Sequence, residues 1–161
     1  MADLHIEDFY RDVAKIFLQL FASFPRRSVL YVEDISGPDE PDEFGLHHPR
    51  FQACFGTMLW LAEHGYLGFA DTIGQEALDQ AVLTRRGFLL LTARSDLELS
   101  SPPAEPEPSP SVSEHSRSNV AQLRSALGSA SSLQIRECVS YLLAQAPIGE
   151  VPAGATPVST R

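Results

Sequence analysis

Apolar residues recur at Ile6, Phe9, Tyr10, Val13, Phe17, Leu20, Phe21 and Phe24, the three-and-four spacing that predicts a helix with one buried stripe. Asp8 and Asp12 lie off that stripe, and acidic groups in the first turns suit the positive end of the helix dipole. Pro25 disfavours helical backbone at Phe24 and closes the element. Ser28 to Val32 is a β-branched and aromatic run, which predicts a short strand buried on both faces or nearly so. The pattern then breaks: Glu33 to Gly45 holds six carboxylates, two prolines and two glycines, which predicts an extended loop with tight turns, or at most a single helical turn. His48-Pro49 opens a second helix, with proline pre-set at a first helical position and Phe51, Cys54, Phe55, Met58, Leu59 and Ala62 on its buried side.

That helix stops at His64-Gly65, where glycine takes positive φ without a Cβ clash. Tyr66-Leu67-Gly68-Phe69 leads to a polar tip, Asp71 to Glu76, and Ala81-Val82-Leu83 returns to Thr84, whose hydroxyl can cap a helix starting at Arg85-Arg86. After Arg94 the composition changes abruptly to Ser, Pro and Glu, which cannot pack a core and favours extended conformations. Val120, Leu123 and Leu127 then space as a short helix, and Ser131 with Gln134 forms a capping box for another that carries Ile135, Cys138, Val139, Leu142, Leu143 and Ala146 on one side. The expected organisation is a folded domain over 1–97, a linker over 98–117, a helical segment over 118–147 and a disordered tail over 148–161. No internal repeat is visible.

The stretch 6–91 resembles the winged helix-turn-helix superfamily, most closely in LWLAEHGYLGF and VLTRRGFLLL, which are similar to the helix-to-wing and wing-to-last-helix junctions of bacterial MarR-like and PadR-like regulators. The resemblance covers a little over half of the chain. It implies an α+β fold with a small antiparallel sheet, and dimeric transcription regulators that place the third helix in the major groove. Carried over by position, the base-reading residues would be Arg50, Gln52, Ala53 and Thr57, with Thr72 and Gln75 on the wing. The sequence departs from that pattern where the acidic loop takes the place of the second helix, and where the wing tip carries no basic residue.

Charge turns the picture away from nucleic acid. The net charge is −9, and residues 1–97 hold 8 Lys or Arg against 15 Asp or Glu, a net of −7. Duplex DNA binds largely through Lys and Arg on phosphates, yet Lys15 is the single lysine. Arg85-Arg86 and Arg26-Arg27 could meet phosphates, but with acids in such excess the favoured expectation is that they neutralise the acidic loop.

No nucleophile with a base, phosphate loop, nucleotide fingerprint or paired-histidine metal motif occurs, so neither an enzyme nor a cofactor is expected. Glu33 to Glu43 with His47 and His48 could in principle hold a cation, but the loop lacks the alternating spacing of an EF-hand, and a solvated acidic loop is favoured. Cys54 and Cys138 fall on apolar helical positions and read as small buried hydrophobes. The amino terminus lacks a basic leader region, and no apolar run approaches the roughly 20 residues that span a bilayer, so a cytoplasmic protein with no membrane contact is expected.

The acidic loop serves either solubility or contact with a basic protein partner, through Asp39, Glu40, Asp42, Glu43 and Phe44, with Ile35 as a second apolar anchor. Trp60 is a core residue or, if it lies off the buried stripe, a partner anchor. The stripe of the last helix, with Val139, Leu142 and Leu143, must dock on its own domain, pair in a homodimer or enter a partner's groove. The expected function is a non-enzymatic winged-helix interaction or regulatory adaptor module; the alternative is a DNA-binding transcription regulator using Arg50, Gln52, Ala53, Thr57, Arg85 and Arg86.

Overall fold

The computed structural model describes residues 3–97 and 117–145. In chain order the elements are α1 (Leu4–Ser23), β1 (Ser28–Tyr31), α2 (Val32–Ser36), α3 (Pro49–Glu63), β2 (Leu67–Gly68), β3 (Asp71–Ile73), β4 (Ala77–Leu83), α4 (Arg85–Thr92), α5 (Asn119–Gly128) and α6 (Ser132–Ala144). Among the described residues the fold is α+β, with six helices and a small antiparallel sheet. The expected tail, 148–161, and the expected linker, 98–117, lie outside the described residues except for Arg117, as do the last two positions of the expected helical segment, 146–147, with Ala146 of its stripe.

α1 is the central element. α3 packs on one side and α6 on another, with α5, α4 and β4 also against it. That arrangement explains why its buried set, Asp12, Val13, Ala14, Ile16, Phe17 and Leu20, is wider than one stripe. Ala14 and Ile16 join the core from positions a single-face reading leaves out, while Ile6, at the first turn, is exposed. Asp12, expected off the buried face, is buried between α1 and α3.

β4 is the sheet's spine. β1 pairs along one edge in the register Leu30↔Leu78 and Tyr31↔Ala77, while β3 and β2 share the other through Thr72↔Leu78 and Leu67↔Leu83. Between Leu78 and Ala81 the spine holds one residue more than β1, and Gln80 there takes a φ of +52°. β1 differs from its expectation. Only Leu30 is fully covered; Tyr31 is 47% exposed, so the strand is covered on one face and not on both. Val32, expected in the strand, starts the single turn of α2.

The junction from α3 to the hairpin follows its sequence signals. Gly65 has φ +79°, Gly65 N donates to the Ala62 carbonyl, and Tyr66 N reaches back to Leu61. Thr84 ties this stop to the next helix: its hydroxyl donates to the Gly65 carbonyl and accepts from Gly87 N at 3.1 Å. Arg86 donates to the His64 carbonyl at 2.8 Å and lies over the Tyr66 ring, 4.5 Å from its centroid. Gly87 is where α4 meets that junction, and a Cβ there would sit 2.2 Å from the Tyr66 carbonyl oxygen and 3.2 Å from Leu83 Cδ2. Gly87→Ala is therefore expected to lower stability by about 2 to 3 kcal/mol in urea denaturation, since backbone and not a flexible side chain must give way. A loss below about 0.5 kcal/mol would show that the contact relaxes freely.

The carboxy-terminal helices dock on their own domain, one of the three outlets expected for their stripe. Leu123, Ile135, Val139 and Leu142 belong to the same core as Val13, Phe17 and Leu20. Val139 and Leu142 are fully covered and offer no partner surface, and Leu143 is partly buried against that core. The capping box is half formed: Ser131 Oγ accepts from Gln134 N, but the Gln134 side chain accepts from the Ser129 hydroxyl instead of returning to the cap. α4 and α5 are clasped by a short ladder, in which Ser95 N donates to the Arg117 carbonyl and Asn119 N to the Ala93 carbonyl. The buried Asn119 adds a bond from Nδ2 to the Leu90 carbonyl at 2.7 Å.

Candidate interaction surface

The acidic loop between α2 and α3 is built on two aspartates whose carboxylates bond within the loop. Asp39 bonds the His47 ring through one carboxylate oxygen and accepts from His48 N through the other at 3.0 Å. Burial raises the Asp39 pKa, but the bonds from His47 and His48 outweigh it, and the carboxyl sits below its ordinary value. His47 stacks on Phe51 of α3 at 4.8 Å, so this pair pins the loop to the helix. Asp42 closes the tip, its Oδ1 accepting from Phe44 N and Leu46 N, both at 2.9 Å. Asp39 is thus a strut of the loop, and Asp42 is largely spent on the turn.

What the loop presents is Glu40, Glu43, Phe44 and Leu46. Phe44 is 80% exposed and Leu46 61%, large apolar groups held out by the Asp42 turn. Ile35, expected beside Phe44 as an anchor, is buried in the core. Leu46 was not legible as a site residue; the usable signal is an aspartate two and four residues before an apolar pair, which folds both outward.

The positions expected to read bases are mostly committed inside the protein. Arg50 donates to Asp12 through both terminal nitrogens, NH1 at 2.6 Å, and its Nε lies 3.5 Å from Asp8. The Asp12 carboxylate holds the guanidinium above its ordinary pKa against the effect of burial. Gln52 Nε2 donates to the His47 carbonyl at 2.8 Å. Thr57, expected on the outer face, is buried, and its hydroxyl donates to the Ala53 carbonyl one turn back. Ala53 is exposed and its side chain has no polar group to offer; Thr72 is exposed on β3 and Gln75 in the turn that follows it, and no basic residue stands between Asp71 and Glu76.

Trp60 is half-buried, edge-on to Phe9 at 5.4 Å and tilted over His64 at 4.3 Å, so it packs α3 on α1 and does not stand free as an anchor. The arginine pairs do not neutralise the acidic loop. Among the described residues the ion pairs are Asp39–His47 and those of Arg50 with Asp8 and Asp12. Arg86 caps α3, and Arg26, Arg27 and Arg85 are exposed with no ion pair among the described residues.

Among the described residues no three His, Cys, Asp or Glu side chains gather as a metal site. Both cysteines are free and buried. Burial, helped by the Asp12 charge, pushes the Cys54 thiol up to about 12, and burial alone takes Cys138 to about 11, so neither is a nucleophile near neutral pH. No described helix is long and apolar enough to cross a membrane. Comparison with known protein families, curated proteins and solved structures finds no match to this chain.

Proposed function

We propose that this chain is a non-enzymatic, winged-helix-like protein whose work is to hold other protein surfaces, as an interaction or regulatory adaptor module. The observation that supports this most is the fate of α3. In the resemblance to bacterial regulators its outer positions would read bases, but Arg50, Gln52 and Thr57 are occupied by Asp12, His47 and Ala53. A base contact by Arg50 would strip Asp12 of its partner, which costs more than a bidentate guanine contact returns. Meanwhile Glu40, Glu43, Phe44 and Leu46 are exposed, and among the described residues the side chains of Glu40 and Glu43 make no hydrogen bond or ion pair.

The alternative, a DNA-binding regulator, draws on exposed Arg26, Arg27 and Arg85 as phosphate contacts. Fluorescence anisotropy of the full-length protein on a random-sequence duplex pool at 0.1 M salt separates the two. Binding no tighter than the non-specific range, about 10⁻⁴ to 10⁻⁶ M, is expected. Enrichment of a sequence, lost in Gln52→Ala, would overturn the protein-interaction reading.

A further inference from the structure

Of the exposed arginines Arg26, Arg27, Arg85, Arg94, Arg117, Arg124 and Arg136, four fall close to three stacked phenylalanines. Phe24 stacks on Phe88 with ring centroids 4.3 Å apart, and Phe21 stacks on the same Phe88 at 6.5 Å. Arg26 and Arg27 follow Phe24 by two and three residues, Arg85 precedes Phe88 by one helical turn, and Arg124 lies over the Phe21 ring, 5.6 Å from its centroid. The phenylalanines are half-buried, and all four arginines are exposed and without an ion pair among the described residues. In a chain of net charge −9 this concentrates basic groups around an apolar floor.

The acidic tip has the opposite composition: Glu40 and Glu43 lead into Phe44 and Leu46. The two surfaces stand at different heights along α1. The acidic loop is tied through α3 to Asp12, and the basic patch begins at Phe21, nine residues further on, about 14 Å along the helix. No described contact joins tip and patch within one molecule.

We propose that the acidic tip of one molecule docks on the arginine-phenylalanine patch of a second copy of this chain, head to tail. Phe44 and Leu46 would lie on the phenylalanine floor while Glu40 and Glu43 face arginines, so apolar burial and charge pairing act at the same place. The two surfaces are different patches, so the contact is heterologous: each dimer keeps one free tip and one free patch and can add further copies. This rests on the protein-interaction reading above and names a partner for the same loop.

The test uses the full chain in 0.1 M salt, where repulsion between two net-acidic molecules is screened beyond about 10 Å. Sedimentation equilibrium of the wild type is expected to show mass rising with concentration past the dimer. A tip variant, Glu40→Gln/Glu43→Gln/Phe44→Ser, and a patch variant, Arg27→Gln/Arg85→Gln, each change exposed side chains only and should keep the far-UV circular dichroism of the wild type. Each alone should raise the apparent dissociation constant at least tenfold. Mixed one to one, they should recover a species of two copies that grows no further, because only one intact tip and one intact patch remain.

A wild type that stays monomeric at every concentration, or association indifferent to both variants, would overturn the proposal and leave the wider interaction reading standing. Duplex DNA bound at the patch and lost in the patch variant, with no self-association, would overturn both.

Discussion

Truncation after Leu97 is expected to leave a chain that does not fold. Leu123, Ile135, Val139 and Leu142 are at most 3% exposed, and each buried aliphatic side chain stabilises by about 1.5 to 3 kcal/mol, so losing four removes about 6 to 12 kcal/mol. That spans most of the stability of an ordinary domain, about 5 to 15 kcal/mol, and the face of α1 that packs on α6 would be stripped as well. The check is circular dichroism with urea titration of residues 1–97. A cooperative transition in that fragment would show that the amino-terminal elements hold a core without α5 and α6. Cleavage between 98 and 116 is a different matter: the two pieces should stay associated and retain the full-length spectrum, because their contacts lie on both sides of the cut.

Arg50→Ala is expected to cost about 3 kcal/mol or more, the largest effect of any single substitution on the polar face of α3. The change leaves the Asp12 carboxylate, 1% exposed, with no countercharge at bonding distance, and breaking one side of a buried pair typically costs about 3 to 5 kcal/mol. Arg50 itself retains some solvent contact, which argues for the lower end of that range. Asp12→Leu combined with Arg50→Met should recover much of the loss, since removing both charges also removes their desolvation. Urea midpoints for the two single variants and the double variant measure the coupling. If Arg50→Ala falls within about 0.5 kcal/mol of wild type, the pair is a surface contact and Arg50 is free for a ligand.

This pair also marks where the sequence stopped being legible. Helices α1 and α3, the glycine stop at Gly65 and the Thr84 cap were readable because each depends on neighbours within a turn or two. The inward turn of Asp12 was not, since it depends on which two faces of α1 are covered by elements 38 or more residues away. The same holds for Thr57 and for Val139: an amphipathic pattern shows that a face is covered and leaves open by what. In the loop, six carboxylates signalled exposure and turns, yet only the bonds of Asp39 and Asp42 separate the struts from the groups left outside. The arginine-phenylalanine patch was invisible in the sequence because Phe21, Phe88 and Arg124 are brought together by the packing of α4 and α5 on α1.

The ladder between Ala93–Ser95 and Arg117–Asn119 brings two points of the chain side by side before and after the Ser-, Pro- and Glu-rich stretch. Where α5 sits is set by that ladder and by the core, so α5 and α6 are held on α1 by contacts that lie wholly within 3–97 and 117–145. The two segments carry complementary halves of one docking surface: each supplies the strand of the ladder and the share of the core that the other lacks.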